Sequence, residues 1–195
     1  MINLMEITDF RDNLCTRQKA SRPALEEGKP PLAPVTNSLI VAIDFDDATA
    51  NYAKKFHLTT DKNSKDVTKS SDALYQHNKE NVHFVEFKSS KPEGRKETLP
   101  LKLKATESLL TFMDLTKTCR DYARKNMIFI LVFHESSEDT RTELRKKKRK
   151  NVGQPAIISC GLRRLKGMYF KDVLTLTSSE FEEYITKEGW TSMCS

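Results

Sequence analysis

Residues 69 to 91 read KSSDALYQHNKENVHFVEFKSSK, and the way the two halves of this stretch pair decides the fold. NVHFVEFK is apolar and aromatic at Val82, Phe84, Val85 and Phe87, the composition of a strand. Side chains alternate faces along a strand, so Glu86 and Lys88 share the face of Val82 and Phe84, while Val85 and Phe87 point away. SDALYQH is a shorter strand, and the polar, turn-forming residues His77 to Asn81 join the two as a hairpin. With its turn centred on Lys79, the register sets Asp72 opposite Glu86, their Cβ atoms about 5 Å apart.

Two carboxylates aimed at one point, with a lysine beside them, can support a hard cation such as Mg²⁺ or Mn²⁺ together with waters and substrate phosphate. Such an ion would polarise a phosphoryl oxygen and acidify water, while Lys88 would orient the attacking water or neutralise charge developing on phosphate. The bland alternative is a solvent-facing Glu–Lys pair with Asp72 merely ending a loop. Against it stands the apolar face that Glu86 continues, because charge on a buried face needs a reason.

An acid, a hairpin, ExK, then a helix and a hydrophobic strand resemble the core of the PD-(D/E)XK nuclease superfamily, over roughly residues 40 to 135. The resemblance implies a restriction-endonuclease-like fold, a mixed central sheet flanked by helices. It also implies metal binding by Asp72, Glu86 and the Phe87 carbonyl, with Lys88 catalytic. Ser71 stands where the superfamily's name has proline. Many members carry a further acid on the first core helix, for which Asp46 and Asp47 are the nearest candidates, Glu26 and Glu27 being poorly placed. The function implied is a Mg²⁺-dependent nucleic-acid phosphodiesterase, DNA rather than RNA.

Composition agrees with a single soluble domain. The chain has 195 residues, 37% hydrophobic and 31% charged, and its longest apolar run, MIFILVF at 127 to 133, is too short to span a bilayer. No secretory leader is evident at MINLMEITDF. Cys15, Cys119, Cys160 and Cys194 are scattered without CxxC or zinc-finger spacing, the pattern of free thiols in a reduced cytoplasmic protein. A net charge of +6 favours a polyanionic partner such as nucleic acid. A homodimer is admissible, although no residue requires it.

Along the chain, residues 1 to 37 read as a weakly structured arm or linker containing the proline-rich SRPALEEGKPPLAPVTN, with room for a short helix before it. Residues 38 to 195 read as one domain ending in a basic extension. NSLIVAIDF is a strand, and DDATANYAKKFHL a helix capped by Asp46 or Asp47 with Ala50, Ala53 and Phe56 along one side. Pro100 suits the first position of a long helix through LKLKATESLLTFMDLTKTCRDYARK that buries Leu103, Leu110 and Met113 with Leu109 and Phe112. MIFILVFHE is an interior strand by its nearly continuous apolarity, and EDTRTELRKKKRKN a charged helix or extension. PAIISCG and GMYFKDVLTLT are late strands, and Thr177 with Glu180 makes a capping box for a final helix. The order of elements is that of a mixed α/β or α+β domain.

Arg145, Lys146, Lys147, Lys148, Arg149 and Lys150 form an unbroken basic run suited to phosphate contacts, and Lys102 and Lys104 are placed to reach a phosphate as well. The plain alternative for all eight is a solvated surface. Two competing functions remain open. One is a catalytically silent nuclease-fold module that binds nucleic acid or protein. The other arises at LIVAIDFDDATA, which resembles the first motif of haloacid-dehalogenase-type phosphatases. There Asp44 would be nucleophile, Asp46 acid/base and Ser136 the phosphate-binding hydroxyl, but Ala48 stands where that family has Thr or Val and no late strand ends in paired acids.

Overall fold

The computed structural model describes residues 2–22, 34–56, 68–77, 81–134, 161–191 and 193. Six strands form one sheet in chain order: β1 (Leu14–Thr16), β2 (Val41–Asp44), β3 (Ala73–His77), β4 (Asn81–Lys88), β5 (Met127–Phe133) and β6 (Asp172–Thr177). Strands β1 to β4 run antiparallel to their neighbours, and β4, β5 and β6 are mutually parallel. The parallel pairs need crossovers. For β4 to β5 the crossover is the 23-residue helix α4 (Gly94–Thr116) followed by α5 (Arg120–Asn126), with Lys117 left-handed at the junction.

The hairpin register is the expected one, with Ala73 opposite Val85, Leu74 opposite Phe84 and Tyr75 opposite His83. The faces alternate as the sequence demands. Val82 and Phe84 pack with Phe45, Phe112, Phe129 and Phe170 on the side covered by α3 (Phe45–Lys55) and α4. On the other side Val85 and Phe87 join Tyr75, Ile130, Val132, Phe181 and Trp190, with α6 (Ser178–Lys187) laid across them. β5 lies between two parallel neighbours and is buried along nearly all its length. The Thr177–Glu180 capping box opens α6.

Four expectations need correction. The N-terminal residues are no loose arm: α1 (Thr8–Arg11), β1 and α2 (Arg17–Ala20) belong to the domain, and Leu4, Phe10 and Arg17 are fully buried. Gln76 of β3 fastens this segment, accepting from the Leu4 N–H at 3.0 Å and donating to the Ile2 carbonyl at 2.6 Å. Arg17 lies with its guanidinium 4.5 Å from the ring centres of both Tyr75 and Trp190, two rings that stack on each other at 4.1 Å, and burial lowers its pKa to about 10. The proline-rich centre of the expected arm lies outside the described residues, as do PAIISC of the expected strand PAIISCG and the charged segment before it.

The other three corrections concern helices. The cap of α3 is Asp44, whose side chain accepts from the Asp47 N–H at 3.1 Å; Phe45, Ala48, Thr49 and Ala53 face inward, while Phe56 is exposed. α4 begins at Gly94 and carries Pro100 within it, so the proline gives up an interior backbone bond instead of occupying the first turn. It buries Leu101, Ala105, Ser108, Leu109 and Phe112, leaving Leu103 and Leu110 exposed.

That facing gives a direct check by urea unfolding. Phe112→Ala should cost about 3–5 kcal/mol, as expected for deleting a buried aromatic ring. Leu110→Gln, on the exposed side of the same helix, should stay within about 0.5 kcal/mol of the parent.

Candidate active site

Asp72 is the residue just before β3, and Glu86 is the sixth residue of β4, so the hairpin ends where the two carboxylates meet. Glu86 is completely buried. Asp72 is fixed by the strand opposite it, its Oδ2 accepting from the Phe87 N–H at 2.6 Å. Lys88, one strand period beyond Glu86, puts its Nζ 2.7 Å from Glu86 Oε1 and remains more than a third exposed. Asp72, Glu86 and Lys88 therefore gather at one end of the face that α4 covers.

The fourth member comes from α4. Lys104 Nζ lies 3.2 Å from Asp72 Oδ1, 3.0 Å from Glu86 Oε1 and 3.1 Å from Glu86 Oε2. The expectation that Lys104 is a cation free to reach phosphate is corrected by these ion pairs. α4 also organises the chain leading to Asp72: Ser108 Oγ accepts from the Ser71 N–H at 2.8 Å, and Glu107 accepts from the Lys69 N–H. The signal for Lys104 was present in the sequence, since it falls in the stripe Leu101, Lys104, Ala105, Ser108, Phe112 that recurs at helical spacing. Lys102 points elsewhere, its Nζ so close to Gly161 that a Cβ there would come within 3.2 Å.

Asp46 adds a third negative charge nearby. It stands in the first turn of α3, accepts from the Ser70 hydroxyl, and its field acts on both Asp72 and Lys104. Of the two acids named for the first core helix, Asp46 is thus the one on this side; Asp47 is exposed and its N–H serves the Asp44 cap. Asp44 has its carboxyl pKa raised, chiefly by burial. Glu26, Glu27, Ser136 and the run from Arg145 to Lys150 lie outside the described residues.

The electrostatics follow from burial and crowding. Burial and then the Glu86 charge push the Asp72 carboxyl up to about 8, against the pull of the Lys104 ammonium and the Phe87 N–H. Burial alone would lower Lys104, but the charges of Asp72, Glu86 and Asp46 outweigh it and the ammonium holds its proton more tightly than a free lysine.

The oxygens suit a hard cation. Glu86 Oε1 is buried with no donor in hydrogen-bond geometry, its neighbours being the two ammonium groups. A strand residue's carbonyl points to the same side as its N–H, so the Phe87 carbonyl is turned toward Asp72. The Ser71 N–H, which the register would bring opposite it, is given to Ser108 instead. Two carboxylates and a carbonyl leave room for the waters that Mg²⁺ retains. Among the described residues no group of three or more His, Cys, Asp or Glu side chains is arranged to hold a metal.

On the opposite side of the same sheet end, the His134 N–H donates to the Lys88 carbonyl at 3.3 Å and its Nδ1 lies 3.2 Å from Ser178 Oγ. A cleft of about 420 Å³ there is lined by Thr36, Ser38, His134, Ser178 and Glu182 among others. No spacing in the sequence announces it, because its walls come from three distant segments. Among the described residues Cys15 and Cys119 are free thiols, and no helix is long and apolar enough to cross a membrane. No family model, curated protein or solved structure matches this chain significantly.

The raised Asp72 carboxyl has a signed consequence for stability. Its folded pKa lies above the unfolded value, so its contribution is fully present below the unfolded value and is lost as pH rises toward about 8. The melting temperature of the parent minus that of Asp72→Asn should therefore fall between about pH 5 and pH 9, as checked by thermal denaturation across that range.

Proposed function

We propose that this protein is a divalent-metal-dependent nucleic-acid phosphodiesterase, acting on DNA rather than RNA, with Asp72, Glu86 and the Phe87 carbonyl as the metal-holding oxygens. The observation that carries this reading is the convergence of Asp72 Oδ1 and both Glu86 oxygens within about 3 Å of one point, at the open end of a hairpin. The topology adds support. An antiparallel run from β2 to β4, then a helix and a strand parallel to β4, is the order in which the PD-(D/E)XK resemblance places its acids and lysine.

When bound, the ion would supply Lewis acidity at a phosphoryl oxygen and a more acidic water. The chain's own residues do the positioning. The Phe87 N–H fixes the rotamer of Asp72. Burial of Glu86 in the middle of the sheet keeps its carboxylate from moving with solvent. Lys88, anchored by Glu86 and open to solvent beyond it, presents a positive charge where an approaching phosphodiester would build negative charge.

A second reading, a catalytically silent nucleic-acid or protein-binding module, is favoured by Lys104. Its ammonium already satisfies both carboxylates, as a permanent replacement for a metal would. The phosphatase reading gains less, since Asp44 is engaged as a helix cap and Asp46 with Ser70.

Incubation with DNA and RNA substrates plus Mg²⁺ or Mn²⁺, with an EDTA control, separates the readings. Asp72→Ala and Glu86→Ala should each lower metal-dependent cleavage about 100-fold or more, the scale of losing one charge-stabilising group. Lys88→Ala should reduce turnover more than metal affinity. Absence of cleavage by the parent under every condition points to the silent module, and activity abolished only by Asp44→Asn points to the phosphatase.

The basic run is tested by binding. Replacing several of Arg145 to Lys150 with Gln should weaken affinity about equally for unrelated sequences and flatten its salt dependence, because phosphate contacts carry no sequence information. An unchanged salt slope would return the run to a solvated surface.

A further inference from the structure

The geometry points to Lys104 as a resident counter-ion that must vacate the Asp72–Glu86 site for a divalent cation to enter, so that metal loading is an exchange of one cation for another. This rests on the nuclease reading above and adds to it a role for a residue outside the Asp72, Glu86 and Lys88 set.

The argument is one of volume and charge. Lys104 Nζ stands 3.0 to 3.2 Å from Asp72 Oδ1 and Glu86 Oε1. A cation shared by those two oxygens has to occupy the same space, at about 2.0–2.1 Å from each oxygen if it is Mg²⁺. The two cations cannot be there together. Charge points the same way: two ammonium groups already stand against the acids, so the resting site attracts a dication less than the same acids would without Lys104.

The chain also provides the means of exit. Lys104 is linked to the site only through a flexible four-carbon stem from one turn of α4, and its side chain retains 22% of its exposure. The helix itself need not move, since Ser108 and Glu107 hold the chain before Asp72 independently of Lys104. A dication loaded while the displaced ammonium stays near raises the positive charge of the site by two units. A phosphodiester is an anion, so the released ammonium gains a partner when substrate arrives. Exchange would thus favour loading with substrate over loading without it.

The test compares Mn²⁺ affinity, measured by electron paramagnetic resonance without nucleic acid, for the full chain and for Lys104→Met. Methionine keeps the length of the stem and removes the charge. Exchange requires Lys104→Met to bind Mn²⁺ about tenfold or more tightly than the parent, the effect one adjacent charge has on a carboxylate's ionic equilibria. Binding by Lys104→Met alone, with none by the parent, would support exchange even if the parent cleaves nothing. Equal or weaker affinity in a folded Lys104→Met overturns exchange, while cleavage by the parent would leave the nuclease reading standing. Should neither protein bind Mn²⁺ nor cleave, both proposals fail.

Because Lys104→Met leaves two acids facing each other and risks misfolding, the parent supplies a second readout. Acylation of Lys104 by an amine-reactive reagent, followed by mass spectrometry, should accelerate on adding Mg²⁺. Protection or no change would contradict displacement.

Discussion

Two carboxylates that converge inside a protein need positive charge beside them or must hold on to a proton, because each ion removed from water must recover its solvation from neighbours. In this chain the constraint falls on the end of the β3–β4 hairpin. Glu86 is fully buried and Asp72 is pinned to the Phe87 N–H, so neither can turn out to solvent without breaking the strand pairing. Lys88 compensates from the same strand and Lys104 from a helix. The placement of α4 is therefore an electrostatic necessity as well as a hydrophobic one. Its apolar stripe covers Phe84, and the one cation in that stripe reaches the acids.

Seen this way, the sheet has two ends with different duties. Toward the start of β4, Val82 and Phe84 extend an ordinary aromatic core shared with Phe45, Phe112 and Phe129. Toward its finish the same face becomes charged within one strand period. Parallel pairing of β4 with β5 makes the change tolerable, since it supplies the deep end with backbone partners on one side while β3 stops at Ala73 on the other. The carbonyl of Phe87 and the carboxylate of Asp72 meet in the space where β3 has ended.

Much of this was legible in the letters, and the reasons are local. Alternation in NVHFVEFK and a polar turn at Lys79 are enough to set the register, and register alone decides that Asp72 faces Glu86. The interior character of β5 and the cap at Thr177 are equally local signals. What could not be read depends on long-range partners. The N-terminal elements are three or four residues long, below the length at which periodicity speaks, and they are held by Gln76 from a distant strand. The face of α4 was misassigned because leucines at 103 and 110 outbid the polar Ser108 on hydrophobicity, although Ser108 is the buried one. Lys104 resembled any surface lysine until its acids were placed opposite.

The crossover between β4 and β5 has a kinetic side. Only residues 78–80 separate β3 from β4, a spacing that lets strands pair on the microsecond scale of hairpins, and in a lone hairpin Asp72 and Glu86 would repel with only Lys88 and water beside them. Lys104 reaches the two acids only from a 23-residue helix docked across the sheet. The charged end of the strand pair therefore gains its helix-borne counter-ion only where α4 is packed. Assembly of the charged cluster is in this sense the signature of a completed fold, since a chain that has not packed α4 has no Lys104 beside its two acids.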